Sequence, residues 1–281
     1  MKNRSESWQA TVIKKEISDN SSISSEMDYV DVCRQAVQDD QIFNKFKSST
    51  QYRAVLEHID YKQGATYLDL ISENSPIMSH LKVIKQRELG SPFRYWYRGV
   101  GLISPTQIRY AKVLQDLEIL FGNLESLHIA EIGAGYGGQA VQILTRWNIS
   151  SYSIYDLYWP GLLISKYMQK TELVSESVLS VNPNVHNPYF DLVISNYAFS
   201  ELFRDVQDRY LSDVILKSKS GYVIFNQIHH DSQSSYTPDE FASMIPGAQI
   251  FAEVPETFDG NVLIVWGHQR DNLPNSLFLE K

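Results

Sequence analysis

The run Ile129-Ala130-Glu131-Ile132-Gly133-Ala134-Gly135-Tyr136-Gly137-Gly138 constrains this chain more than any other segment. An apolar stretch over residues 127–132 precedes the glycines, and a helical pattern over 138–147 follows them. Four glycines between a strand and a helix permit a tight turn and leave bare backbone against which a ligand can lie. The helix that follows offers unpaired N–H groups at its start. A strand–turn–helix of this composition belongs in an α/β sheet, and a turn with no ligand would not need so many glycines.

The same loop carries two overlapping signatures. Gly133, Gly135 and Gly138 match the dinucleotide pattern G-x-G-x-x-G. Glu131, Gly133, Gly135 and Gly137 match the E-x-G-x-G-x-G pattern of S-adenosylmethionine enzymes. Glu131 separates them on charge. A carboxylate repels a bound pyrophosphate, whereas the ammonium and sulfonium of S-adenosylmethionine tolerate or favour it.

The rest of the chain alternates strand and helix. Strand patterns fall at 127–132, 151–155, within 173–181, at 191–195 and at 221–226, with helices at 138–147, 160–168 and 203–216 between them. Such repeats imply a parallel sheet covered on both faces. The strands expected at 248–254 and 261–266 are joined only by residues 255–260, too short a link for a crossover helix, so they form an antiparallel hairpin. A dinucleotide-binding sheet is parallel through its core, and a class I methyltransferase sheet ends in a reversed strand. The chain therefore reads as α/β, with a Rossmann-like class I methyltransferase sheet, mostly parallel with an antiparallel last strand, and an N-terminal helical cap. The expected divisions are a flexible leader over 1–25, a helical cap and substrate region over 26–123, a cofactor-binding methyltransferase domain over 124–270 and a C-terminal tail over 271–281.

The chain of 281 residues carries 25 basic and 33 acidic side chains, a net charge of −8. That balance argues against nucleic acid as the main partner. Cys33 is the lone cysteine, which excludes an intrachain disulfide and fits a reducing compartment. The polar first residues lack the apolar centre of a signal peptide, and no apolar run is long enough to span a bilayer. A cytoplasmic location without membrane insertion is expected.

Asp156 stands at the end of the second strand, where doubly wound sites place an acid to hold ribose hydroxyls. Both cofactor classes predict that role. The fourth strand runs into Ser195-Asn196-Tyr197-Ala198-Phe199-Ser200-Glu201-Leu202. Ligands bind beyond the carboxyl ends of such strands, so Asn196 faces the site and is suited to an amino-acid moiety. Glu201 touches the substrate or acts as an early-helix acid. The fifth strand ends in Asn226-Gln227-Ile228-His229-His230-Asp231 at the same edge. A histidine there is suited to accept a proton near neutral pH. A metal is not expected, because three adjacent residues rarely converge on one ion. The aromatic and basic run Phe93-Arg94-Tyr95-Trp96-Tyr97-Arg98 suits either a ring substrate and lid or packing between cap and sheet, and Arg109 and Tyr110 share that ambiguity.

Three runs carry a resemblance: Ser104-Pro105-Thr106-Gln107-Ile108-Arg109-Tyr110, then residues 131–139, then residues 195–202. Together they resemble the sugar O-methyltransferases, class I S-adenosylmethionine enzymes, over residues 90–267. The resemblance implies methyl transfer from S-adenosyl-L-methionine to a hydroxyl of a small-molecule or glycan acceptor. The expected cofactor residues are Glu131, Gly133, Ala134, Gly135, Tyr136, Gly137, Asp156, Leu157 and Asn196. The expected catalytic residues are His229, His230 and Glu201. The competing readings are an NAD(P)-dependent oxidoreductase and a binding module that kept the fold without catalysis.

Overall fold

The computed structural model describes residues 28–71, 75–171, 178–182, 189–226 and 235–268. The expected leader, the expected tail, most of the third-strand window and the pair His229 and His230 lie outside these residues. Among the described residues no helix is long and apolar enough to cross a membrane.

The N-terminal part is built from α1 (Tyr29–Gln38), α2 (Asp40–Phe43), a single 3-10 turn at Phe46–Ser48, α3 (Thr50–Val55), α4 (Tyr61–Leu70) and α5 (Pro76–Ile84). Local chemistry sets several of these starts. The Asp39 carboxylate accepts the N–H groups of Gln41 and Ile42, Asp60 and Gln63 cap α4 reciprocally, and Ser75 caps α5 ahead of Pro76. The sequence pattern suggests a helical cap throughout, and the structure differs in one place. The aromatic run folds into a two-stranded antiparallel hairpin, β1 (Tyr95–Tyr97) and β2 (Gly101–Ile103). Each strand is three residues long, too short for alternation to register.

Next comes α6 (Pro105–Phe121), with Pro105 at its first position and Gly122 ending it at φ 78°. Nearly every residue from Pro105 to Leu117 is buried, because α6 lies between cap and sheet. Lys112 Nζ and the Tyr222 hydroxyl both donate to Asp116 Oδ2, each at 2.7 Å, which ties α6 to the sheet.

The sheet domain runs β3 (His128–Ile132), α7 (Gly138–Arg146), β4 (Ser151–Tyr155), α8 (Tyr158–Thr171), β5 (Leu179–Val181), β6 (Phe190–Asn196), α9 (Arg204–Asp213), β7 (Ser218–Phe225), α10 (Pro238–Ser243), β8 (Gln249–Ala252) and β9 (Val262–Trp266). The spatial order is β5-β4-β3-β6-β7-β9-β8. The first five strands in that order pair in parallel, β9 is antiparallel to β7, and β8 is antiparallel to β9. This is the mostly parallel, Rossmann-like sheet with a reversed last strand that the sequence pattern implied. Helix α10 had no counterpart in that pattern. It has six residues, although its capping box, Thr237 with Glu240, is a readable start signal.

Alternation along the strands splits the core in two. Ile129, Ile154, Ile194, Ile224 and Val265 face α6, α7, α8 and the cap. Ala130, Val193, Val223 and Ile264 face α9 and α10.

A buried cation joins the cap to the sheet domain. Lys47, fully buried in the 3-10 turn, lies with Nζ 3.3 Å from the centroid of the Tyr136 ring. It donates to the Tyr167 hydroxyl at 3.2 Å and sits 4.0 Å from Glu57 Oε1. Burial pulls its pKa down to about 8. Breaking a buried pair on one side strands the other charge and typically costs ~3–5 kcal/mol. Lys47→Met is therefore expected to lower unfolding stability by that amount in urea denaturation. A change smaller than ~1 kcal/mol would show that the cap is held by apolar packing alone.

Candidate functional site

Strand β3 delivers the glycine loop to the carboxyl edge of the sheet, where β4, β6 and β7 also end. Gly133 has φ 72°, and a Cβ on it would stand 2.0 Å from the Cβ of Ala198. The loop after β6 thus crosses bare backbone at a distance that no side chain allows. Gly133 N–H donates to Tyr155 O at 2.8 Å, and Gly137 N–H to Ala134 O at 2.8 Å, which closes the turn.

Asp156 holds this loop. Its Oδ2 accepts the N–H groups of Ala134 at 2.9 Å and Gly135 at 3.2 Å, and its Oδ1 accepts that of Leu157 at 2.8 Å. A carboxylate offers about four acceptor sites, so these three bonds leave room for about one more. The place of Asp156 in the sequence assigns it both ribose hydroxyls of a bound nucleoside. In the observed geometry a second hydroxyl would have to replace a loop N–H.

A cavity of about 430 Å³ opens over the loop, within the usual range for small-molecule sites. Glu131, Gly133, Ala134, Gly135, Asp156, Leu157, Asn196 and Glu201 line it from the sheet domain. Eight of the residues expected from sequence are thereby brought to one space. Tyr136 and Gly137 are not in its wall. The Tyr136 side chain turns away into the cap contact beneath Lys47, and its hydroxyl accepts from Gln107 Nε2 at 3.3 Å. Gly137 faces α8, where an added Cβ would meet Met168 Cε at 2.6 Å. These two shape the loop rather than the cavity surface. His229 and His230 lie outside the described residues.

The second wall comes from the cap: Tyr29, Leu56 and His58, with Arg109 and Tyr110 of α6. Sequence reasoning missed Leu56 and His58, which follow α3 in a stretch with no motif. It left Arg109 between packing and substrate contact. The aromatic hairpin takes no part in the wall. Tyr97 is buried with its hydroxyl donating to Tyr61 O at 3.1 Å, and Trp96 is exposed.

The polar groups of the cavity are unevenly satisfied. Glu131 is buried, and its Oε2 accepts the Tyr152 hydroxyl at 2.8 Å. Burial pushes its pKa up to about 8, against the pull of that bond, with the Asp156 charge adding to the rise. Burial likewise raises Asp156 to about 7, although its three backbone bonds oppose the shift. Glu201 is raised by burial and accepts Asn226 Nδ2 at 2.8 Å. Crowding around the His58 ring and the Arg109 charge lower its pKa to about 4. Both polar atoms of the Asn196 side-chain amide are buried without a hydrogen-bond partner. An unpaired amide aimed into a cavity is costly unless a ligand pairs it.

No protein-family model matches the chain, and no curated protein matches it. Solved structures resemble it at low identity. Magnesium protoporphyrin IX methyltransferase from Synechocystis, solved with bound S-adenosylmethionine, is 10% identical with a TM-score of 0.43, over 78% of this chain and 97% of that one. An rRNA methylase from Streptococcus thermophilus is 8% identical with a TM-score of 0.40, over 57% and 96%. A protein from Thermoplasma acidophilum is 13% identical with a TM-score of 0.39, over 71% and 100%. These likenesses carry nothing about ligand or substrate.

The raised carboxylates set a pH dependence. The unfolded chain releases the Glu131 proton near the ordinary value of 4.5, while the folded protein keeps it to about 8. Stability is thus largest below about pH 4.5 for this group and falls as pH rises towards 8. The ceiling is ~5 kcal/mol at ~1.4 kcal/mol per unit. Glu131→Gln keeps an acceptor for Tyr152 and removes the titration. The variant is expected to lose less stability than the parent between about pH 5 and pH 8 in urea denaturation. Parallel profiles would disprove the shift.

Proposed function

We propose that this protein transfers a methyl group from S-adenosyl-L-methionine to a hydroxyl oxygen of a small-molecule or glycan acceptor, a sugar or glycan precursor in the first instance. The observation that carries the reading is the composition of one cavity. An acid, a bare glycine loop and an unpaired asparagine amide meet at the carboxyl edge of a sheet with a reversed last strand. Neither nucleic acid binding nor membrane insertion is part of the proposal.

The donor would bring an activated methyl on a sulfonium, leaving the protein with alignment and proton removal. Glu131 would favour the cationic part of the donor. Asn196 would pair its amide with the amino-acid moiety, and Asp156 would accept a ribose hydroxyl at its remaining site. Gly133 and Gly135 would lie under the nucleoside.

One described group of the cavity wall could take the acceptor proton. Glu201, raised by burial, is a stronger base than an ordinary carboxylate. His58, with Nδ1–H given to Val55 O at 3.2 Å, keeps the Nε2 lone pair, but a pKa held near 4 suits it to accepting a hydrogen bond rather than the proton. His229 and His230 follow β7 in sequence and stay part of the proposal as bases supported by Glu201.

Isothermal titration of the full chain with S-adenosylhomocysteine tests the donor. Binding is expected, with Glu131→Gln weakening it about tenfold, as for one charge-assisted contact. No binding by folded protein would overturn the proposal. Thermal protection by NADH but not by S-adenosylhomocysteine would replace it with the dinucleotide reading.

A further inference from the structure

Three basic side chains among the described residues are buried: Lys47, Lys112 and Arg109. Lys47 has Glu57 and the Tyr167 hydroxyl, and Lys112 has Asp116 at 2.7 Å. Arg109 bonds the Tyr110 side chain but has no carboxylate partner. It is 4% exposed, and among the described residues no carboxylate oxygen lies within 4.0 Å of it. Its Nε makes no hydrogen bond. Glu57 feels its field but is engaged by the Thr106 hydroxyl at 2.8 Å and faces Lys47.

What surrounds Arg109 is aromatic. Its guanidinium carbon is 5.3 Å from the Tyr110 ring centroid and 5.6 Å from that of Tyr197. Ring faces hold a guanidinium in a plane while leaving its edge N–H groups free. Tyr197 is itself fixed. Its backbone sits at φ 71°, ψ −35°, an unfavourable region for a tyrosine, and its N–H donates to Ile224 O at 2.9 Å. Its hydroxyl donates to Glu253 and lies 3.3 Å from Thr257 Oγ1. The ring against Arg109 is therefore anchored from β7 and from the segment before β9. Tyr197 also follows Asn196, whose amide is unpaired in the same cavity.

A desolvated cation with an unpaired Nε, lying over two rings and opening on a cavity, has the geometry of a receptor for a planar anion. We infer that Arg109 receives a carboxylate group of a molecule bound in this cavity. Two sources share that chemistry, the amino-acid carboxylate of the methyl donor and an acid group on the acceptor. The first source rests on the proposed donor, whereas the second stands without it.

The test uses the full chain, with Arg109→Met to keep length without charge and Arg109→Lys to keep charge without the fork. Titration probes are S-adenosylhomocysteine, 5′-methylthioadenosine, which lacks the amino-acid carboxylate, and glucuronate as a sugar acid. If the donor is the source, Arg109→Met loses about tenfold or more in S-adenosylhomocysteine affinity. It keeps 5′-methylthioadenosine binding, and Arg109→Lys recovers part of the loss. If the acceptor is the source, both nucleoside affinities are unchanged and glucuronate binding is lost in Arg109→Met. Should the parent bind neither nucleoside, the donor reading falls. The carboxylate receptor still stands if glucuronate binding depends on Arg109, and falls if the parent binds no carboxylate probe. Equal affinities in parent and variants for every probe overturn it. So does a melting temperature many degrees below the parent in both ligand-free variants, which marks Arg109 as packing.

Discussion

The cavity exists because the cap is seated on the glycine loop, and the buried ammonium of Lys47 is the point at which the two are registered. It touches the ring of Tyr136 within the loop and the Tyr167 hydroxyl on α8. Its acidic neighbour, Glu57, is the residue between Leu56 and His58 of the cavity wall. Glu57 also accepts from Thr106 on α6, three residues before Arg109. A buried ion pair adds little net stability over an apolar pair of the same shape. What it adds is a required geometry. Moving the 3-10 turn by one residue would strand a charge, so the second wall is held in one position relative to the first.

The electrostatics of that enclosed space are mixed. Glu131, Asp156 and Glu201 are all held above the ordinary carboxylate range by burial. Arg109 opposes them from the α6 side, and the free amide of Asn196 can donate or accept. A ligand of one sign would satisfy only part of this lining. A pyrophosphate would meet Arg109 but would keep Glu131 protonated, leaving that wall without a charge partner. A molecule that carries a cation and a carboxylate together satisfies both walls, which is the charge pattern of a sulfonium amino acid.

The legible part of the architecture is the part encoded locally. The glycine run, Asp156 at the end of β4, Asn196 at the end of β6 and the short link between β8 and β9 are each readable within a few residues of chain. The cap wall was not readable, because its meaning lies in contacts across the chain. Lys47 occupies one 3-10 turn and meets groups at positions 136 and 167. Periodicity within the helix does not reveal which side of α6 Arg109 serves, since that helix is buried almost all round. Tyr136 misled for a related reason. Its place in the signature suggests a ligand contact, but its ring is drawn to the nearest buried cation.

The loop and the cap also compete for the same surface. Leu56 lies over Gly135 so closely that an added Cβ would be 2.9 Å from its Cδ1. Asp156 meanwhile occupies the N–H groups of Ala134 and Gly135. A nucleoside lying on this backbone must therefore displace the Leu56 side chain and share the Asp156 carboxylate with the loop. Rearranging Leu56 acts on Glu57, its neighbour in sequence, and so on the Lys47 contact that seats the cap. Ligand entry and cap position are in this way two descriptions of one packing problem.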